Sequence, residues 1–148
     1  MCTAISLTAS EHYFGRNLDL HCGYGESVVI TPRNYEIKMR CVKLKKSHYA
    51  MIGMACVVDG FPLYFEATNE KGLSMAGLNF PTNACYFSLQ EGKENVTPFE
   101  FIPYLLGRCK TVKEAREFLL NINLCNTPFS TDLPLSPLHW MIADKDES

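Results

Sequence analysis

The order of hydrophobic patterns along the chain is the feature that most limits its fold. Strand-like segments fill roughly the first eighty residues, two helical segments follow, and a last strand-like segment comes near the end. Strands followed by a helix pair and a returning strand predict an α+β fold in which a helical layer packs on a sheet. The candidate strands are Ala4–Thr8, His12–Leu18, Ser27–Thr31, Tyr49–Val58, Leu63–Glu66, Gly72–Phe80 and Leu138–Ala143.

Local signals refine this pattern. Tyr49–Val58 is largely apolar, which is typical of a strand covered on both faces. The dipeptide Asp59-Gly60 follows it and predicts a tight turn into the next strand. The sequence Thr97-Pro98-Phe99-Glu100 predicts the start of a helix that runs towards Gly107.

A second capping sequence, Thr111-Val112-Lys113-Glu114, predicts another helix. Its apolar residues share one face, and they are Val112, Ala115, Phe118 and Leu119. The segment 121–137 contains three prolines and is expected to be a loop.

Composition limits what the chain does. Its 148 residues predict a single domain, and its 47% hydrophobic content is enough for a sizeable core. The net charge is −2, and only Lys43–Lys46 approaches a basic cluster, so nucleic acid is not an expected partner. No apolar run is long enough to cross a bilayer, and Met1–His12 lacks the features of a secretory signal. We therefore expect a cytoplasmic protein that does not bind membranes.

Cysteines are widely spaced along the chain. Their odd number and the absence of a C-x-x-C pair argue against a disulfide framework or a zinc ribbon. In a reducing compartment such residues are typically small buried hydrophobes, which is our interpretation for all but Cys2. The seven are Cys2, Cys22, Cys41, Cys56, Cys85, Cys109 and Cys125.

Cys2 is the first candidate for chemistry. Once Met1 is removed, this one residue carries both a thiol nucleophile and a free α-amine. An α-amine has an ordinary pKa of about 7.7–8.0, which suits a proton acceptor near neutral pH. A buried structural cysteine is the competing interpretation.

Two further segments supply polar side chains. Arg16 and Asp19 lie three residues apart, so a turn or bulge has to intervene before both reach one site. There Arg16 would stabilise a thiolate and Asp19 would hold the α-amine, whereas a local ion pair is the simpler alternative. Asn79 ends a strand before Pro81, where its amide would bind an oxyanion or simply form a turn.

Taken in order, several segments resemble the choloylglycine hydrolase family, which includes bile salt hydrolases and penicillin V acylases. The segments are Met1–Thr3, Phe14–Asp19, Asn69–Leu73, Ala76–Pro81, Glu91–Asn95 and Leu138–Ile142. The resemblance implies an N-terminal-nucleophile hydrolase fold, a four-layer αββα sandwich. Residues 1–148 would be the N-terminal part of this single domain, truncated before its second half.

The resemblance also implies a reaction and roles for residues. The reaction is hydrolysis of an amide C–N bond without a metal or cofactor. Cys2 would be the nucleophile, Arg16 and Asp19 its immediate partners, and Asn79 part of the oxyanion hole. A wide apolar pocket for a steroid would be lined by family-matched positions, for which ordinary core packing is the alternative. These positions are Leu18, Val58, Phe129, Leu133 and Leu138.

Alternatives remain within this resemblance. Conjugated bile salts are the expected substrate, because the acylases of the family often carry a tyrosine at the position of Asn79. Penicillin V is the other substrate. A catalytically inactive fragment is an alternative of a different kind, since the family's second half supplies a further asparagine and arginine to the site. The family's tendency to form tetramers predicts a homo-oligomer.

Overall fold

A computed structural model describes residues 2–19, 21–44 and 46–147. Nine strands are present within these ranges, and three sheets are formed from them. The strands are β1 Thr3–Thr8, β2 His12–Asn17, β3 Ser27–Thr31, β4 Met51–Val58, β5 Phe61–Asn69, β6 Ser74–Asn79, β7 Glu94–Val96, β8 Ile122–Leu124 and β9 Leu138–Ala143. The main sheet is antiparallel with the order β3-β4-β5-β6-β9, while β1 pairs with β2 and β7 with β8.

The predicted strands all form, and β3 and β9 have the predicted limits. The turn between β4 and β5 contains Asp59 and Gly60, whose φ angles of 52° and 75° fit the preference of Asp-Gly for tight hairpin turns. The prediction that 121–137 is all loop is wrong. Ile122–Leu124 pairs in parallel with Glu94–Val96, and so short a parallel pair carries no alternation that a sequence pattern would reveal.

Two helices follow the capping sequences. A 3-10 turn at Pro98–Glu100 leads into α1, Phe101–Leu106, and α2 spans Val112–Leu119. The Thr111 hydroxyl accepts a hydrogen bond from the Glu114 N–H at 3.1 Å, as an N-cap residue should. Among the described residues, neither helix has the length and apolarity needed to span a bilayer.

The apolar core lies between one face of the main sheet and α1. Strand residues such as Tyr64, Ala67 and Met75 meet Phe101 and Leu105 there, and all five are buried. Burial of this apolar surface is the main force that holds the helical layer on the sheet.

The opposite face of the sheet is only partly covered within the described chain. Ile52 on β4 is 48% exposed, and Val28 and Ile30 on the edge strand β3 are 66% and 67% exposed. Within the described chain β4 is therefore covered on one face and only partly on the other, because the hairpin of β1 and β2 reaches only part of this face; cover on both faces stays a prediction for the whole protein. The hairpin reaches this face near β6, where Arg16 donates a hydrogen bond to the Gly77 carbonyl.

Asn69 joins the end of β5 to the end of α1. Its buried Nδ2 donates to the carbonyls of Leu106 and Cys109 at 2.7 and 2.8 Å. Its Oδ1 accepts from the N–H groups of Lys71 and Leu73 at 3.0 and 3.1 Å. One side chain thus satisfies both a helix terminus and the turn between β5 and β6.

Gly53→Ala is expected to lower the free energy of unfolding by about 1–3 kcal/mol, because it overpacks the contact between β4 and β5. A Cβ at Gly53 would overlap the Glu66 carbonyl oxygen and lie 2.6 Å from the Ala67 Cα. Urea unfolding measures the loss. In the control Gly15→Ala, the new Cβ would lie 3.7 Å from Ile5, an ordinary contact. An equal loss in the control would contradict the steric explanation.

Glu70 is expected to stabilise the fold less as the pH falls. Hydrogen bonds from the Arg33 guanidinium and from the Ala50 N–H lower the pKa of its carboxyl from the ordinary 4.5 to about 2. A lowered folded-state pKa adds stability above the unfolded value that is lost as the pH falls through the folded value. The stability difference between wild type and Glu70→Gln should therefore shrink between pH 4.5 and about 2. Urea unfolding across that range measures it, and a constant difference would contradict the prediction.

Candidate active site

The hairpin of β1 and β2 brings the start of the chain next to the segment that follows β2. Cys2 directly precedes β1, and its Sγ lies 3.9 Å from the Asp19 carbonyl oxygen, to which it donates. The Thr3 N–H donates to Asn17 Oδ1 at 2.5 Å, which holds the open end of the hairpin together. Because β2 ends at Asn17, Asp19 lies outside the strand, so the alternation of side chains along a strand does not separate it from Arg16.

Arg16 is a buried cation with two partners. Its side chain is 4% exposed, its Nη2 donates to the Gly77 carbonyl, and its Nε lies 3.3 Å from Glu66 Oε2. Its Nε and Nη1 are both buried, and neither forms a hydrogen bond among the described residues. The hairpin that directly follows Cys2 therefore carries a fixed positive charge with two N–H donors not used in hydrogen bonds.

Glu66 is the site residue that sequence analysis missed. Its only signal was a single acidic residue in the otherwise apolar run from Phe61 to Ala67. Burial raises the pKa of its carboxyl, while the Arg16 charge and the Met54 N–H act in the opposite direction. Arg16 therefore favours the ionised form of this carboxyl against the effect of burial.

A cavity of about 230 Å³ opens beside this ion pair. Residues of the hairpin and of strands β4 and β5 line it, so it lies between the hairpin and the main sheet. The lining residues are Phe14, Gly15, Arg16, Ile52, Gly53, Glu66, Ala67 and Thr68.

Asn79 is the last residue of β6 and pairs with Leu138 on β9. Gly77, two residues before Asn79 on the same strand, accepts the hydrogen bond from Arg16 through its carbonyl oxygen. The segment Ala76–Pro81 therefore contains both a contact with Arg16 and Asn79 itself. Asn79 is exposed. Its part in an oxyanion hole stays a prediction.

The five predicted pocket residues are half-buried: Leu18, Val58, Phe129, Leu133 and Leu138. The Phe129 ring lies 5.9 Å from the ring of Phe61, which pairs with Val58 across the hairpin turn. Arg40 holds the Phe129 segment in place by donating to the carbonyls of Pro128 and Phe129. Within the described chain the five do not line the cavity beside Arg16, so their contact with a substrate stays a prediction.

Comparison with known proteins shows the family. The family model for linear amide C–N hydrolases of the choloylglycine hydrolase family matches residues 2–148. The chain belongs to the choloylglycine hydrolase family. It is 50% identical to a bile salt hydrolase/transferase of Lactiplantibacillus plantarum and covers 46% of that protein. It is 42% identical to a conjugated bile acid hydrolase of Lactobacillus gasseri and covers 48% of it. Both matches include all of this chain, which thus spans about half the length of these curated relatives.

Solved structures agree with the fold of this family. The crystal structure of a C2A mutant conjugated bile acid hydrolase from Clostridium perfringens matches with a TM-score of 0.90 at 35% identity. The match covers 99% of this chain and 46% of that one. A penicillin V acylase from Agrobacterium tumefaciens matches with a TM-score of 0.68 at 17% identity over 97% of this chain and 43% of that one, which shows the fold alone. The predicted N-terminal-nucleophile hydrolase fold is confirmed for this N-terminal part.

Proposed function

We propose that the protein containing this chain hydrolyses the amide bond of glycine- or taurine-conjugated bile salts, with Cys2 as the nucleophile. The observation that carries the proposal is a buried Arg16 guanidinium on the hairpin that begins at Cys2. Arg16 is buried. The chain that contains it is 50% identical to a relative named bile salt hydrolase/transferase. Because the chain spans 46% of that relative, we propose residues 1–148 as the N-terminal part of one domain and assign the activity to the whole protein.

The chemistry follows from the groups on Cys2. After Met1 is removed, the α-amine takes the thiol proton, and the thiolate attacks the amide carbonyl carbon. The C–N bond then breaks as the α-ammonium protonates the leaving nitrogen, which releases glycine or taurine. Water hydrolyses the remaining thioester, and free bile acid and the Cys2 thiol are regenerated.

Other residues stabilise charge during these steps. Arg16 favours the thiolate through its fixed positive charge, and Asp19 holds the α-ammonium by a charge-assisted hydrogen bond. Asn79 donates to the tetrahedral oxyanion, for which the loss of one donor typically costs about 10²–10³ in rate. Leu18, Val58, Phe129, Leu133 and Leu138 contact the steroid.

The test is release of glycine and taurine from glycocholate and taurocholate by the purified chain, after mass spectrometry has shown that Met1 is absent. Cys2→Ala is the control. Release that disappears in Cys2→Ala is the expected result. If the folded, Met1-free chain releases nothing, a chimera with the second half of the Lactiplantibacillus plantarum relative is assayed. An inactive chimera would reject the proposal, and activity of the chimera alone would make this chain by itself an inactive fragment.

Penicillin V in the same assay separates the two substrate classes. A higher kcat/KM for penicillin V than for both bile salts would overturn the substrate assignment.

We also propose a cytoplasmic location and a homotetramer. All seven cysteines are free thiols, which is consistent with a reducing compartment. Cys22, Cys41 and Cys85 are exposed, so the prediction of buried cysteines is wrong for these three. Light scattering after size exclusion tests the tetramer on the active protein.

A further inference from the structure

We infer that Glu66 is a positioning residue that orients the Arg16 guanidinium for its role at Cys2. The inference rests on the proposed function, which makes Cys2 the nucleophile and assigns stabilisation of its thiolate to Arg16. The role is distinct from those of Cys2, Arg16, Asp19 and Asn79, since Glu66 acts through another side chain.

The first support is a β-bulge that aims Glu66. In the ladder between β4 and β5, Met54 pairs with Glu66 but Ala55 pairs with Tyr64, so the pairing skips Phe65. Tyr64 and Ala67 both belong to the helix-facing core, and Phe65 and Glu66 between them are half-buried. Because of the extra residue, Tyr64 before the bulge and Ala67 after it both face the core, while Glu66 faces the hairpin. Bulges of this kind are enriched next to active sites, where they redirect a side chain.

The second support is the way in which Arg16 is held. Its Nη2 donates to the Gly77 carbonyl on β6, and its Nε faces Glu66 Oε2 on β5 at 3.3 Å. The contact with Glu66 is an ion pair without a hydrogen bond, since neither the Arg16 Nε nor the Glu66 Oε2 has a hydrogen-bond partner among the described residues. Because the guanidinium is a rigid plane, a hydrogen bond to one strand and an ion pair to another restrict both its position and its orientation. If Glu66 is removed, the hydrogen bond to the Gly77 carbonyl is the remaining contact of these two. The guanidinium plane is then free to rotate about that hydrogen bond. The buried Nη1 is the donor whose direction these contacts restrict.

The third support is the lack of other acidic side chains on the four described strands β1, β2, β4 and β6. Strands β1, β4 and β6 contain no Asp, Glu, Lys or Arg, and β2 contains Arg16 alone. The remaining titratable groups on these four strands are the imidazole of His12 and the phenol of Tyr13 on β2 and the thiol of Cys56 on β4. Glu70, the next carboxylate after Glu66 along the chain, bonds to Arg33 instead. Glu66 is a carboxylate that lies within ion-pair distance of Arg16, with its Oε2 3.3 Å from the Arg16 Nε.

Positioning and simple charge screening predict opposite results for Glu66→Gln. If Glu66 only screened Arg16, its removal would strengthen the positive field at Cys2, and the thiol would be alkylated faster at a given pH. If Glu66 positions Arg16, its removal lets the guanidinium turn away, and Cys2 is alkylated more slowly at a given pH. A positioning residue also has no effect once Arg16 itself is gone.

The experiment measures alkylation of Cys2 by iodoacetamide as a function of pH, with the Cys2 peptide quantified by mass spectrometry. The proteins are wild type, Glu66→Gln, Arg16→Gln, the double variant and Glu70→Gln. We expect the midpoint to rise by about one pH unit in Glu66→Gln, so that labelling near neutral pH falls about tenfold. The rise should be similar in Arg16→Gln and no larger in the double variant. Glu70→Gln, a matched change at an outer ion pair, should leave the midpoint unchanged.

Three results would overturn the inference: a lower midpoint in Glu66→Gln, an unchanged midpoint, or additive effects in the double variant. Circular dichroism checks folding, and Glu66→Asp replaces Glu66→Gln if the latter does not fold. A carboxylate shortened by one methylene should give an intermediate midpoint, and an unchanged one would count against positioning. Labelling needs no substrate turnover. Failure to hydrolyse bile salts would thus reject the proposed function without deciding the role of Glu66.

Discussion

Asn69→Ala is expected to lower the free energy of unfolding by about 3–5 kcal/mol, a large part of the stability of a domain this size. The substitution leaves the Leu106 and Cys109 carbonyls and the Leu73 N–H without their side-chain partner. These residues are buried, so water does not readily replace the lost hydrogen bonds. Urea unfolding followed by circular dichroism gives the magnitude.

Asn126→Ala is the matched control, because the same atoms are removed from an exposed residue. We expect a change within about 0.5 kcal/mol there. Similar losses in the two variants would show that the buried hydrogen bonds of Asn69 do not carry the effect.

Arg16→Met is expected to lower the free energy of unfolding by about 2–4 kcal/mol at neutral pH, because it leaves a partly buried carboxylate without its counter-charge. The Glu66 side chain is 23% exposed, so the loss should fall below that of a fully buried ion pair. The Gly77 carbonyl also loses its donor. Methionine approximates the apolar part of arginine, which limits the loss of packing.

The pH dependence of Arg16→Met has a definite sign. Burial already raises the pKa of Glu66, and Arg16 opposes that shift, so removing Arg16 raises the pKa further. A carboxyl with a raised folded-state pKa destabilises the fold as the pH rises above its unfolded value, ordinarily 4.5. The difference in the free energy of unfolding between wild type and Arg16→Met should thus widen from mildly acidic to neutral pH in urea unfolding.

Arg33→Met, at the exposed ion pair with Glu70, should lower the free energy of unfolding by less than about 1 kcal/mol. For Arg16→Met, a difference that narrows with rising pH would contradict the role given to Glu66.

Sequence patterns predicted the main sheet because its strands are long and bounded by residues with clear preferences. Pro32 directly follows β3, and Asp59 and Gly60 adopt the positive φ angles that a tight turn requires. The short parallel strands β7 and β8 escaped prediction, since three residues do not establish a period. The apolar run of β4 also did not reveal which parts of the chain lie opposite its two faces.

For the site, the sequence predicted the contributing segments but not their mutual contacts. The approach of Cys2 to Asp19 follows from the pairing of neighbouring strands and was within reach of sequence reasoning. The pair of Arg16 with Glu66 was not, because the two residues are far apart in the sequence and meet only through the stacking of the hairpin on the sheet. The bulge that aims Glu66 depends on the register with β4, which no local pattern encodes.

The outer strand β3 has a consequence for the behaviour of the chain in solution. It forms one edge of the main sheet, and Val28 and Ile30 present two-thirds of their surface to solvent beside Ile52. An apolar sheet edge of this kind recruits strands from other molecules. Such association depends on protein concentration, whereas unfolding of a monomer does not, so we expect the apparent melting temperature of this chain to vary with concentration. Comparisons of variants therefore need to be made at one protein concentration.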